Sequence, residues 1–193
     1  MKNLLIGAAL TLGAAISAQA ADAAVPFKFV LGAGLTSGGD TLATLVYTDG
    51  SSDSVKGGNL ATFYLGGEFR VGTAVSVQAT IGYHTDRTKD AENGSVQFNR
   101  TPVDLLAYYH LNDKVRLGGG AQFVSSSRLK GSGAASSIDV PFDSTIGGVI
   151  EGEYLFSPHM GIKLRSVTEK FNLSGGGGSA SGNHIGVLFN FYL

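Results

Sequence analysis

The residues of this 193-residue chain that could do chemistry are few and scattered. Cysteine is absent, which removes thiolate nucleophiles, thiolate metal sites and disulfides. Four histidines remain, at positions 84, 110, 159 and 184. His84 and Asp86 stand two apart, so on an extended strand they share a face, and an Asp–His pair can activate water. Such a pair more often serves as polar partners at the rim of a sheet. A serine hydrolase needs a serine close to a histidine, but the residues two positions after His110, His159 and His184 are Asn112, Gly161 and Gly186. No two histidines sit at chelating spacing, and Asp40, Asp49 and Asp53 fit solvated loop acids better than a calcium site. Gly175 to Gly178 is followed by neither a lysine nor a helix, so it is not a phosphate loop. No cofactor or metal is expected.

The charges have more pattern than the histidines. Apolar residues alternate along most of the chain with period two, the signature of strands. Phe27, Phe29, Leu31, Ala33 and Leu35 share one face, as do Phe63, Leu65, Phe69 and Val71, and as do Ile185, Val187, Phe189, Phe191 and Leu193. The opposite faces carry Lys28, Glu68, Arg70, Asp104, Arg116, Glu151, Glu153, Lys163 and Arg165. Five are basic and four acidic, a near balance that predicts an internal salt-bridge network in a narrow lumen. Gly32, Gly34, Gly66, Gly118 and Gly120 fall on the same face and leave room for long side chains. A soluble sandwich with these charges on its wetted faces also satisfies the alternation.

The elements that must position these groups are eight strands, read at 27–47, 52–71, 74–86, 95–111, 115–129, 143–156, 160–173 and 183–193. Three connections are short: Gly72-Thr73, Asn112-Asp113 and Ser157-Pro158. Four are long and polar or Gly-rich: Thr48 to Ser51, Thr88 to Gly94, Lys130 to Ser137 and Gly175 to Gly182. Strict alternation of short turns and long loops is the pattern of an up-and-down transmembrane β-barrel with both chain ends in the periplasm. Gly38-Gly39 is read as a bulge kinking the first strand, because a turn there would add a ninth strand. Outward-reading Phe27, Phe69, Tyr109, Tyr154, Phe156 and Phe191 sit at the short-turn ends, where an aromatic girdle belongs.

Composition agrees with an all-β antiparallel barrel. Charged residues make up 15% of the chain, glycine numbers 29, tryptophan is absent, and the net charge is −1 with a mean hydropathy of +0.15. That charge excludes a nucleic-acid binder, and no later segment reaches the ~20 apolar residues of a membrane helix. Residues 1–20 read as a cleaved secretory signal peptide: Lys2, an apolar run from Leu4 to Ala18, then Ala18-Gln19-Ala20. The barrel domain is then 21–193.

With these strands and this leader, the chain resembles the small eight-stranded outer-membrane barrels of the OmpA transmembrane-domain and OmpX type. Its final run, Val187-Leu188-Phe189-Asn190-Phe191-Tyr192-Leu193, is similar to the C-terminal insertion signal of such barrels, with Val187, Phe189, Phe191 and Leu193 on one face. It ends in Leu193 where Phe is usual. The resemblance implies the outer membrane of a Gram-negative bacterium, contact with its lipid, and biogenesis through periplasmic chaperones and the barrel assembly machinery. A monomer is expected, with a structural or surface-interaction role carried by the long outer loops toward an extracellular ligand of unknown nature. Two other readings stay open: a narrow channel for small solutes or lipophilic molecules, and a rim hydrolase using His84 and Asp86.

Overall fold

The computed structural model describes residues 27–89 and 94–193. The signal peptide read over 1–20 and the tip of the loop over 88–94 lie outside the described residues. Thirteen strands follow in order: β1 (Phe27–Gly38), β2 (Thr41–Val46), β3 (Ser52–Lys56), β4 (Leu60–Arg70), β5 (Val75–Arg87), β6 (Gly94–His110), β7 (Val115–Gly133), β8 (Asp139–Phe142), β9 (Thr145–Ser157), β10 (Met160–Thr168), β11 (Lys170–Asn172), β12 (Ser179–Ser181) and β13 (His184–Tyr192).

Eight of them form the wall. β1, β4, β5, β6, β7, β9, β10 and β13 each pair antiparallel with the next, and β13 closes on β1 from Val30↔Tyr192 to Gly38↔His184. Closure leaves no unpaired edge in the wall, which a strand assembly in hydrocarbon requires. The other strands are accessory: β2–β3 is a separate hairpin, β11–β12 another, and β8 extends the pairing of β7.

The first strand is not one kinked element, as the bulge reading had it. It breaks at Gly38 (φ 142°) and Gly39 (φ 79°), left-handed geometry that glycine adopts readily. The chain then makes the β2–β3 hairpin and rejoins the wall at Leu60. The wall still has eight strands, because the hairpin lies within the connection between two of them. The expected seventh strand likewise stops at Thr168, and Phe171 belongs to the short β11.

The wall is inverted relative to a soluble barrel. Its outward face is apolar and bare: Leu35, Leu65, Ile81, Leu105, Leu117, Leu164 and Phe189 are all exposed, and Ile150 is 72% accessible. Its middle holds ionised side chains, and Lys163 is 0% accessible. Water would penalise that outer face by roughly 25 cal/mol per Å² of apolar area, whereas a lipid exterior does not. Phe27, Phe69, Tyr109, Tyr154, Phe156 and Phe191 are outward and exposed at the short-turn end, and Phe27 packs on Phe69 with centroids 4.7 Å apart.

Beyond the apolar band, β6 and β7 stay paired from Arg100↔Ser127 out to Gly94↔Gly133, about 20 Å of extra ribbon. The register steps between Pro102↔Val124 and Arg100↔Ser127, placing a bulge in β7. Inward positions on β7 change parity there. Leu129 is buried, while Arg128 and Lys130 are exposed.

Two inward glycines are required by close approach. A Cβ on Gly118 would meet the Tyr108 ring, and one on Gly32 would meet the Tyr64 ring. Each glycine lets a tyrosine lie flat across the lumen. Gly118→Ala is therefore expected to cost about 1–3 kcal/mol through overpacking. Gly119→Ala next to it should stay within about 0.5 kcal/mol, since its nearest neighbour would be Val149 O at 3.6 Å. Urea midpoints of the two variants folded in detergent, followed by gel mobility before and after heating, check the contrast.

Candidate functional site

Within the band, the lumen is filled by charge-paired layers. Arg116, from β7, donates Nε to Glu153 at 2.7 Å and Nη1 to both oxygens of Glu68 at 2.7 Å. Its guanidinium lies over the Tyr108 ring at 4.3 Å, and Nη2 donates to the Tyr192 hydroxyl. Glu153 also accepts from Asn190 Nδ2 at 2.9 Å and from Tyr192. One layer outward, Lys163 donates to the Tyr108 hydroxyl at 2.7 Å and pairs with Glu151 at 3.2 Å. Arg165 binds Glu151 through Nε and Asp104 through Nη2 at 2.7 Å. Gln122 completes Asp104 at 2.9 Å. These carboxylates and cations come from β4, β6, β7, β9 and β10, so the network ties the two halves of the wall together across the lumen.

Toward the outside, the polar lumen ends at Arg100. Its Nη1 donates to the Gly57 carbonyl and sits 3.2 Å from Glu169, and Nη2 lies 2.6 Å from His84 Nδ1. A guanidinium can only donate, so Nδ1 accepts and the imidazole is neutral, with its N–H on Nε2. Nε2 faces the Asn59 carbonyl at 3.1 Å and Thr36 Oγ1 at 2.9 Å. Asp86 accepts from the Lys56 and Arg87 amides at 2.7 and 2.9 Å. Both side chains thus hold the segment that carries the β2–β3 hairpin back to β4. His184 sits edge-on to His84, with centroids 5.2 Å apart, and donates Nδ1–H to the Gly182 carbonyl at 2.7 Å.

Above Arg100 the interior turns apolar. Val55, Val96, Phe98, Val124, Leu129, Phe142 and Phe171 are buried together, and Phe98, Phe142 and Phe171 stack edge-on at 5.4–6.2 Å. Leu42, Ala43 and Leu45 of the hairpin pack against them. The arrangement closes the outer mouth with a core of ordinary soluble character. On the outer surface of the extension, Arg128 pairs with Asp139 and holds its carboxyl below the usual range.

Of the nine charges read as a lumen network, Glu68, Asp104, Arg116, Glu151, Glu153, Lys163 and Arg165 are buried and in ion pairs. Lys28 and Arg70 lie at the short-turn mouth, half-buried, and among the described residues bind main-chain carbonyls rather than carboxylates. Val187, Phe189, Phe191 and Leu193 all face outward. His84 and Asp86 are both buried at the outer rim but engage different partners rather than each other. Sequence reading missed Tyr64, Asn190 and the Arg100–Glu169 pair. Their signal was parity: all four fall on the inward face when the strand alternation is continued.

Arg116→Leu leaves Glu68 and Glu153 buried without their common cation. It should destabilise the barrel by about 3–5 kcal/mol. Adding Glu68→Gln and Glu153→Gln to it should recover much of that loss, because no uncompensated charge then remains. Urea titration of the lipid-embedded protein measures both.

Residues 6–191 match the family model described as outer membrane protein beta-barrel domain. Comparison by sequence with characterised proteins gives no match. Among solved structures, the fold is similar to Ail, the attachment invasion locus protein of Yersinia pestis (TM-score 0.56, 13% identity, 86% of this chain and 97% of that one). It is also similar to Neisserial surface protein A (TM-score 0.52, 10% identity, 86% and 96%). At such identities the likeness concerns the fold, whereas the family match spans nearly the whole sequence. A closed eight-stranded wall, apolar outside and ionised within, matched along its length by that family model, belongs to the outer membrane protein β-barrel domain family and resides in the outer membrane.

Proposed function

We propose that this protein is a non-conducting outer-membrane barrel whose working part is the extension standing above the membrane. The observation that carries this reading is the double closure of its interior. Charge-paired side chains cross the lumen at Arg116 and again at Lys163 and Arg165, and the apolar cap around Val55, Phe98 and Phe171 seals the outer end. A solute path would have to break buried ion pairs and then cross a dry core, both at high free-energy cost. The extension is an ordered platform: β6–β7, β8 and two hairpins hold its loops on a packed base. Ordered loops on a rigid scaffold suit recognition of a partner at the cell surface.

His84 and Asp86 support the same reading over a rim hydrolase, since each is engaged in fastening the cap. The outward Val187, Phe189, Phe191 and Leu193 suit recognition of the last strand by the barrel assembly machinery. Export by a leader cleaved after Ala20 and a monomeric state complete the proposal.

Two measurements test it. In planar bilayers the purified protein should give no steady open-channel current, and a stable conductance would overturn the closed-lumen reading. Cells displaying the protein should gain adhesion or autoaggregation. Cells displaying a variant with Tyr47–Ser51 and Leu173–Gly178 replaced by Gly-Ser linkers should lose most of that gain while keeping the heat-shifted band. Equal behaviour of the two strains would sink the surface role.

A further inference from the structure

The outer mouth is shut, but the short-turn mouth is not. It holds a cavity of about 140 Å³ lined by Lys28, Glu68, Arg70, His110, Arg116 and Tyr192, with Leu155 and Pro158 at its edge. That is several times the room a single water needs. Its charge distribution is unlike that of the layers above it, where each cation has a carboxylate.

Lys28 stands directly across from Glu68 in the β1–β4 register, the position from which an ion pair would ordinarily form. Glu68 instead gives both oxygens to Arg116 at 2.7 Å. The Lys28 ammonium donates instead to the Pro158 carbonyl, at 3.3 Å. Arg70 donates to the Gly72 and Thr73 carbonyls at 3.3 and 2.6 Å. Among the described residues, neither cation has a carboxylate within 4 Å. Arg116, the third cation, is already matched by Glu68 and Glu153. Ser76 Oγ and His110 Nε2, 2.9 Å apart, add neutral groups beside the cavity. Among the described residues, the mouth therefore presents two half-buried cations whose partners are neutral, around a space open to the periplasm.

We propose that this mouth binds an oxyanion of phosphate type, with Lys28 and Arg70 as its charge partners. Lys28, Arg70 and Arg116 outnumber Glu68 and Glu153 by one, so the mouth carries a net positive charge, and a tetrahedral oxyanion has enough oxygens to reach both Lys28 and Arg70. A guanidinium and an ammonium form charge-assisted hydrogen bonds with phosphate oxygens, shorter and stronger than those to the neutral carbonyls they now hold. The anion comes either from a free periplasmic phosphate or from a lipid headgroup reaching the mouth.

The probe is inorganic phosphate, titrated into the folded protein in a non-ionic detergent and followed by calorimetry and ³¹P line width. One saturable site is expected, weakening as salt is added. Lys28→Gln and Arg70→Gln should each loosen it about tenfold, with the heat-shifted band retained, while Lys170→Gln at the far end leaves it unchanged. Lys28→Gln is the cleaner variant, because Arg70 also fastens a turn. Repeating the titration in nanodiscs separates the sources: displacement by phosphatidylglycerol assigns a headgroup, and its failure assigns the free solute. The proposal is overturned by uptake that does not saturate below about 10 mM, or by a site that both glutamine variants leave intact.

Discussion

The structure depends on keeping charge paired inside a tube surrounded by hydrocarbon. Eight strands enclose a space that side chains just fill, so an ionised group in it has little water to lean on. Arg116, Lys163 and Arg165 are tolerated because Glu68, Glu153, Glu151 and Asp104 reach them from other strands. That requirement propagates outward. Tyr64, Tyr108 and Tyr192 supply hydroxyls for the remaining oxygens and rings for the cations, and their rings need Gly32 and Gly118 opposite them. The glycines follow from the tyrosines, and the tyrosines from the charges.

Arg100 marks the level at which the interior changes character. Below it the lumen is ionic and the outer face apolar. Above it, Phe98 and Phe171 fill the interior, and the guanidinium lies 5.8 and 5.4 Å from their centroids. The solvent outside changes over the same stretch: Val103 and Phe123 face outward below, while Arg128 and Lys130 do so above. A single strand such as β6 thus spans two folding problems, and what lies outside it decides which of its residues can be charged within. Arg100 can sit at the junction because it has both a carboxylate and aromatic faces beside it.

Much of this was legible in the residues, for a definite reason. Alternation along Phe27 to Leu35 or Ile185 to Leu193 is a local property of an extended chain, and the inversion follows once charges populate the other face. The same logic located Glu151 and Lys163. What escaped was whatever depended on a break in alternation or on a distant partner. Pro102 does signal a bulge or interrupted pairing on β6, but not that the extra residue falls in β7, where it reverses parity and buries Leu129, which a strict count places outside. The hairpin after Gly38 docks on Phe98 and Phe171, far along the chain, and no local signal announces that contact. His84 and Asp86 had the spacing of a catalytic pair; their actual partners, Arg100, Asn59 and Lys56, lie on other elements.

The two mouths differ for the same physical reason. At the outer end the chain had length to spare, and hairpins could fold back and bury apolar surface, which removes any need for charge there. At the inner end the described connections are turns of a few residues, too short to fold back over the lumen. The short-turn mouth must therefore face water, and half-buried cations are tolerable at its rim because solvent reaches them. Closure at one end and an open vestibule at the other thus follow from loop length, while the positive charge of the vestibule comes from Lys28, Arg70 and Arg116. Inward from a vestibule lined by Lys28, Arg70, Leu155 and Pro158 stands Arg116 held between two carboxylates, so the first barrier from this end is ionic, whereas that at the other end is apolar.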